Sequence, residues 1–146
     1  MTEIIKFRFE QTDFMKLSDA IRREVFIEEQ HVDPVLEYEY EELGHYYLLF
    51  NEQKPIATCR WRMTPRGVKL ERFAMLKAFR NKGLGSLLLN EVMKDVLTFD
   101  KPIFLNAQIK AVNYYQRAGF VALGDHFFEA GIEHVRMEYQ KEAASI

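Results

Sequence analysis

The chain has 146 residues, 48% of them hydrophobic and 29% charged, which suits one domain spanning residues 1–146 with its own core. A net charge of −2 leaves no basic footprint for nucleic acid, and no apolar run reaches the roughly 18 residues of a membrane helix. Lys6 and Arg8 interrupt the early apolar run and Cys59 is the single cysteine, so neither a signal peptide nor an internal disulfide is expected, and a reducing, cytoplasmic setting fits.

Ile5, Phe7 and Phe9 alternate with Lys6, Arg8 and Glu10, so Ile4 to Phe9 reads as a half-buried strand. Thr12 and Asp13 are helix caps. Phe14, Leu17, Ile21 and Val25 then recur at spacings of three and four, predicting a helix to about Gln30, with Pro34 marking its end. An acidic run follows, with Glu37, Glu39, Glu41 and Glu42 set among Tyr38 and Tyr40. It reads first as a solvated charged face. The sharper alternative is an acidic rim that concentrates a cationic substrate. Tyr46 to Phe50 and Pro55 to Trp61 read as two strands joined by a four-residue loop, Asn51-Glu52-Gln53-Lys54. Arg66-Gly67 turns the chain into a third strand, in which Glu71, Phe73 and Met75 are expected on one face and Arg72 and Ala74 on the other.

The stretch from Leu70 to Ser86 changes from strand to helix. Leu84, Leu88, Val92 and Val96, with Leu87 and Met93, make an apolar helical stripe that ends near Thr98. The loop between holds Arg80, Asn81, Lys82, Gly83 and Gly85. Two glycines allow a tight turn and leave no Cβ in a ligand's way. The helix turns free N–H groups and its positive dipole end toward the loop, which makes an anion site suited to phosphate or pyrophosphate. Glycines in such a turn also serve turn geometry alone. Gly-x-Gly-x-x-Gly is excluded because Leu88 stands at the third glycine's place, and no Walker pattern is present. Further on, Ile103 to Gln108 reads as a strand, Lys110 to Ala118 as a helix stopped by Gly119, and Phe120 to Leu123 and Gly131 to Tyr139 as strands. Strand, helix, three strands, helix, strand, helix, two strands implies an α/β (α+β) fold, a mixed sheet with helices packed on it.

Arg80-x-x-Gly83-x-Gly85 after a strand resembles the coenzyme A pyrophosphate loop of the GNAT superfamily of N-acetyltransferases. The stretch Asn106-Ala107-Gln108-x-x-Ala111-Val112-Asn113-Tyr114-Tyr115, continued to Gly119-Phe120, resembles the same superfamily's Ala-x-x-x-Tyr-x-x-x-Gly-Phe motif. Arg22 to Gln30, reading Arg-x-x-Val-Phe-x-x-Glu-Gln, and Glu129 to Met137, reading Glu-x-Gly-Ile-x-His-x-x-Met, resemble its ElaA/YjcF-like branch. That branch often has aspartates where Glu39 and Glu42 stand, and a proline where Glu133 stands.

The resemblance implies a GNAT-like (acyl-CoA N-acyltransferase) fold, a mostly antiparallel sheet of about seven strands with helices on both faces. It implies acetyl transfer from acetyl-CoA, without a metal, to a primary amine of a small molecule or peptide, by a monomer or homodimer. The amides from Asn81 through Lys82, Gly83, Leu84 and Gly85 to Ser86, with the charges of Arg80 and Lys82, would hold the pyrophosphate. A strand N–H among Phe73, Ala74 and Met75 would polarise the thioester carbonyl. A splay between that strand and the one carrying Asn106 would admit the pantetheine arm, with Asn106, Asn113 and Tyr115 as further cofactor contacts. Tyr115 would be the general acid.

An amine with a pKa of about 10.4 is neutral in only roughly one molecule in 2,500 at pH 7, so a base is needed. Glu71 is the expected base, its pKa raised by partial burial. A salt bridge with Arg60 or Arg62 is its structural alternative, and His134 and His45 are rival bases. Cys59, in an apolar strand, reads as packing. The four histidines and Cys59 show no metal-ligand spacing. The alternative function is a non-catalytic acyl-CoA-binding or sensing module on the same fold, with a nucleotide-binding domain a weaker third.

Overall fold

Alternation of period two and helical stripes of period 3.6 sort the side chains between two faces of one sheet. The structure, a computed structural model, describes residues 1–141. Its strands are β1 (Thr2–Arg8), β2 (His45–Asn51), β3 (Lys54–Thr64), β4 (Gly67–Met75), β5 (Ile103–Gln108), β6 (Phe120–Glu129) and β7 (Ile132–Tyr139). They stand in the order β1-β2-β3-β4-β5-β7-β6. Neighbours are antiparallel except β4 and β5, which are parallel.

Phe7, Tyr46, Leu48 and Ala74 face α1 (Thr12–Arg22) and bury Met15, Ile21 and Val25 against the sheet. Tyr47, Leu49, Trp61, Leu70, Leu105 and Val135 face the other way, onto Leu88, Leu89, Val92 and Val96 of α3 (Leu84–Val96). Each such aliphatic side chain contributes roughly 1.5–3 kcal/mol by leaving water. A short α2 (Pro34–Glu37) lies in the acidic run, and α4 (Val112–Gln116) follows β5. The expected element order and the helices on both faces are present.

Three local features depart from the sequence expectation. The β2–β3 connection is a two-residue turn, not a four-residue loop: Glu52 and Gln53 both take positive φ, 50° and 67°. Tight hairpin turns need that geometry but usually announce it with Asn or Gly. The first helix reaches Glu29, but its last seven residues, Arg23–Glu29, are π-helical. Finally, β4 carries a bulge. Thr58 faces Ala74 and Arg60 faces Glu71, so β4 has one extra residue there, and Arg72 takes φ +59°. The bulge breaks the expected alternation. Glu71 and Ala74 lie on the α1 face, whereas Phe73 and Met75 pack on the α3 face.

Candidate active site

Parallel pairing between β4 and β5 covers only Val68, Lys69 and Leu70 against Ile103, Phe104 and Leu105. Beyond it β4 runs to Met75 and β5 to Gln108 without pairing each other. A cleft of about 640 Å³ opens in the splay, within the range of small-molecule sites. The β5-facing backbone groups of β4 from Glu71 to Met75 therefore have no strand partner and are available to a ligand.

At one end of the cleft sits the glycine loop. Gly83 is the N-cap of α3 with φ +78°, and a Cβ built on it would meet nothing within 4 Å. Conformation, not crowding, calls for glycine there. No side chain caps α3, and its first turn holds no acid. Its first amides and the positive end of its dipole are thus left for an anion. Gly85 differs: a Cβ would lie 3.1 Å from Tyr114 Cε1, and Tyr114 Oη donates to the Gly85 carbonyl at 2.7 Å. Tyr114 of α4 buttresses the loop from beneath. Arg80 is already engaged, its guanidinium forked onto Glu29 with two bonds of 2.8 Å and its Nε donating to Met75 O at 2.8 Å.

Tyr115 lines the facing wall, its ring edge-on to Phe73 at 5.7 Å and to Phe120 at 6.1 Å. Burial pushes its hydroxyl well above the ordinary tyrosine value, so it stays protonated. His134 of β7 also lines the cleft, with Nδ1 2.6 Å from the carbonyl of Ile132. A carbonyl only accepts, so Nδ1 donates to it, which turns Nε2 the other way, 3.8 Å from Glu129 Oε2.

The profile of the acetyltransferase (GNAT) domain family matches residues 9–141. The chain belongs to the GNAT acetyltransferase family. The Bacillus subtilis protein YyaT is 39% identical over 125 residues, 80% of this chain and 82% of that one. The B. subtilis N-acetyltransferase YjcF is 35% identical over 127 residues, 84% of this chain and 91% of its own length. The crystal structure of Escherichia coli ElaA superposes with a TM-score of 0.85 at 22% identity, covering 96% of this chain and all of that one. The GNAT fold and the ElaA/YjcF-like branch expected from the motifs are both present. The uncapped amides of α3 and the open space over Gly83 fit the pyrophosphate of the acyl-CoA donor this family uses.

Most of the residues that GNAT motifs single out converge on the cleft. Phe73, Ala74 and Met75 form one wall and Asn106 and Tyr115 the other. Arg80, Asn81, Gly83, Gly85 and Ser86 lie at the loop end. Lys82 of the loop and Leu84, the first residue of α3, are not in the lining. Asn113 departs from expectation. It is exposed on α4 outside the cleft, because Tyr114 and Tyr115 take the inward positions of this short helix. Among the lining residues the motifs did not mark are Gln108, Lys110 and Arg117. Gln108 Nε2 donates to Gln30 Oε1 at 2.9 Å, joining β5 to the end of the first helix. Lys110 and Arg117 are seven residues apart, two helical turns, and flank Tyr114 and Tyr115; that spacing is the signal that could have found them.

Glu71 lines the cleft but is tied up. Its Oε2 lies 2.6 Å from Arg60 Nη2, 2.7 Å from Arg60 Nε and 3.0 Å from Arg62 Nε. Burial alone would raise its carboxyl, yet Arg60, Arg72, Arg62 and Lys69 together hold it below the usual range. The expected upward shift does not occur, and a carboxylate so stabilised is a poor proton acceptor. His45 is outside the cleft, stacked on Trp61 at 3.9 Å. Cys59 is buried in the core facing α3, where burial pushes its thiol well up.

The acidic run turns inward. Glu37 is buried and accepts from Arg22 Nε at 2.6 Å; Glu41 lies 3.0 Å from both Arg22 Nη1 and Arg60 Nη1. Arginines also hold the segment's carbonyls: Leu36 O by Arg72 at 2.9 Å, Glu37 O by Arg22 at 2.8 Å, Glu39 O by Arg60 at 2.6 Å. The run is neither a solvated face nor a free acidic rim, though Glu39 and Glu42 stay exposed. It is a strap tied by buried arginines along one side of the cleft, which Leu36, Glu37, Glu39 and Tyr40 line. The described residues contain no group of three His, Cys, Asp or Glu side chains placed to hold a metal, and no helix among them is long and apolar enough to cross a membrane.

Proposed function

We propose that this GNAT acetyltransferase moves an acetyl group from acetyl-CoA to the primary amine of a small molecule or peptide by direct attack, with His134 as base and Tyr115 as acid. The observation that carries the reading is the splay itself. Tyr115 and the unpaired edge of β4 line one cleft that ends at an uncapped helix N-terminus. Bound acyl-CoA supplies the thioester. The cleft-facing N–H groups between Phe73 and Met75 stabilise negative charge on its carbonyl oxygen. Holding a lysine-like amine neutral at pH 7 costs about 4.6 kcal/mol. His134 Nε2 offsets that by accepting the proton, and Glu129 faces the resulting imidazolium. Tyr115, kept protonated by burial, gives its proton to the departing thiolate. Glu71, expected as the base, fixes Arg60 and Arg62 instead.

The test incubates the protein with acetyl-CoA and polyamines, aminoglycosides, amino acids and peptides while free thiol is followed. Acceptor-dependent thiol release is expected; binding of acetyl-CoA with no release across the panel would favour a non-catalytic module. Tyr115→Phe should lower kcat by roughly 10²–10⁴-fold, the span of a positioned acid, with little change in coenzyme affinity. A variant with wild-type kcat would remove Tyr115 from the mechanism. His134→Asn should lower kcat/KM with a loss that shrinks at high pH, where more amine is already neutral. A pH-independent loss would return the search to Glu71.

A further inference from the structure

Beside the cleft, a second depression of about 480 Å³ crosses β3, β4, β5, β7 and β6, the last through Phe127. Arg62, Arg66, Lys69 and Arg136 line it with Phe104 and Asn106, and no carboxylate among the described residues does. Arg62, Lys69 and Asn106 line the cleft as well, so trough and cleft are continuous. The register explains the clustering. Arg62 faces Lys69, Lys69 faces Phe104, and Asn106 faces Arg136, which places the cations in neighbouring rows of one sheet face.

A solvated surface patch would leave these chains in water, but the Arg62 and Lys69 side chains are only 13% and 18% exposed. They are also held in place. Arg62 lies over the Tyr40 ring at 4.0 Å and Arg136 over Phe104 at 4.5 Å, with Arg136 Nη2 on Glu138 at 3.0 Å. Glu71, bonded to Arg62 and 3.6 Å from Lys69, and Glu138 are the carboxylates that touch these four cations, so positive charge is in excess. Arg66 is exposed and bonded to no carboxylate among the described residues. Partly buried guanidinium groups beside aromatic walls focus field and suit two-pronged binding of an oxyanion. The acidic side chains beneath the strap offer no second cation site, since Glu37, Glu41 and Glu71 are each already bonded to arginine.

We propose that the trough binds an anionic group, a carboxylate or a phosphate, carried by the same acceptor molecule as the attacking amine. The proposal rests on the acetyl-transfer reading and names its substrate class: an acidic amine, not a polyamine. The test compares kcat/KM in two matched pairs, N-α-acetyl-lysine against its amide and phosphoethanolamine against ethanolamine, with spermidine as a polycation. The two pairs separate carboxylate from phosphate. In at least one pair the acidic member should exceed the neutral one by roughly 10- to 100-fold, the worth of one charge-assisted bond. Arg136→Glu and, on the exposed turn, Arg66→Glu should each collapse that ratio. Because a ratio of two acceptors on one preparation cancels partial loss of folded enzyme, a folding defect would not imitate the result. Ratios near one in both pairs, ratios untouched by both variants, or turnover of spermidine alone would overturn the proposal and leave acetyl transfer standing. If none of the five releases thiol, the acidic probes are titrated by calorimetry into wild type and Arg136→Glu. Binding lost in the variant then upholds the trough, and no binding to wild type ends it.

Discussion

Gly83 and Gly85 serve the same loop for different physical reasons, and the difference is measurable. Gly83 needs its left-handed φ, and a Cβ there meets open space; Gly83→Ala should therefore cost about 1 kcal/mol through the backbone alone. Gly85 needs room for the Tyr114 ring at 3.1 Å. Gly85→Ala should destabilise the wild type but cost much less in a Tyr114→Leu background, because the ring that crowds the new Cβ is gone. Urea melts of the four proteins give the coupling. Equal costs in both backgrounds would show that Tyr114 does not set the glycine. Arg80 carries a related lesson. The motif marks it as charge for pyrophosphate, but its fork already faces Glu29, so its charge is partly neutralised by a neighbour the motif does not include.

At the scale of elements, the strap from Pro34 to Leu43 is held by charge more than by apolar packing. Its Glu37 meets Arg22 and Arg72, 15 and 35 residues away in the chain, and such pairings leave no periodic trace in a sequence. The same holds for the β4 bulge, where a non-glycine residue, Arg72, takes the left-handed region and reverses the face of everything after it. Glu71 sits where strap, bulge and β3 meet. Removing its charge takes one of two carboxylates from buried Arg60, which keeps Glu41 at 3.0 Å, a loss of about 1–3 kcal/mol. Its folded pKa lies below the unfolded value of about 4.3, so its contribution is complete above that value and drains away as pH falls through the folded one. Glu71→Gln should therefore melt below wild type at pH 7, and the gap should narrow as pH falls below about 4.3, the unfolded value. A gap that stays constant as pH falls would mean the carboxylate's charge contributes nothing.

Across the whole molecule, the parts written in short-range periodicity were readable: seven strands, two helical faces, and a glycine loop at a helix start. The meeting of Tyr115 and the loop at one cleft was readable too, because their spacing is local. The surroundings of the candidate bases were not, since the pairing of Glu71 depends on Arg60 and Arg62 across a strand pair, and the orientation of His134 depends on the Ile132 carbonyl. What the sequence could not display is how little sheet pairing joins the two halves. Between β1–β4 and β5–β7 the ladder covers three residues of each strand, with the core against α3 and α4 completing the join. A ligand in the splay would bridge the two strands where the ladder stops. In the free protein, amides where Val68 to Leu70 meet β5 should exchange slowly with solvent deuterium, and cleft-facing amides from Phe73 to Met75 quickly. Acetyl-CoA without acceptor should slow the second group and those of Asn81 to Ser86, and leave the outer strand β6 unchanged. At a concentration 100 times Kd it should also add about 2.7 kcal/mol to the stability. Protection of the loop alone, with Phe73 to Met75 still exchanging freely, would mean that the coenzyme docks by its phosphates and never enters the splay. The β4 edge would then lose its role as the acyl-binding wall.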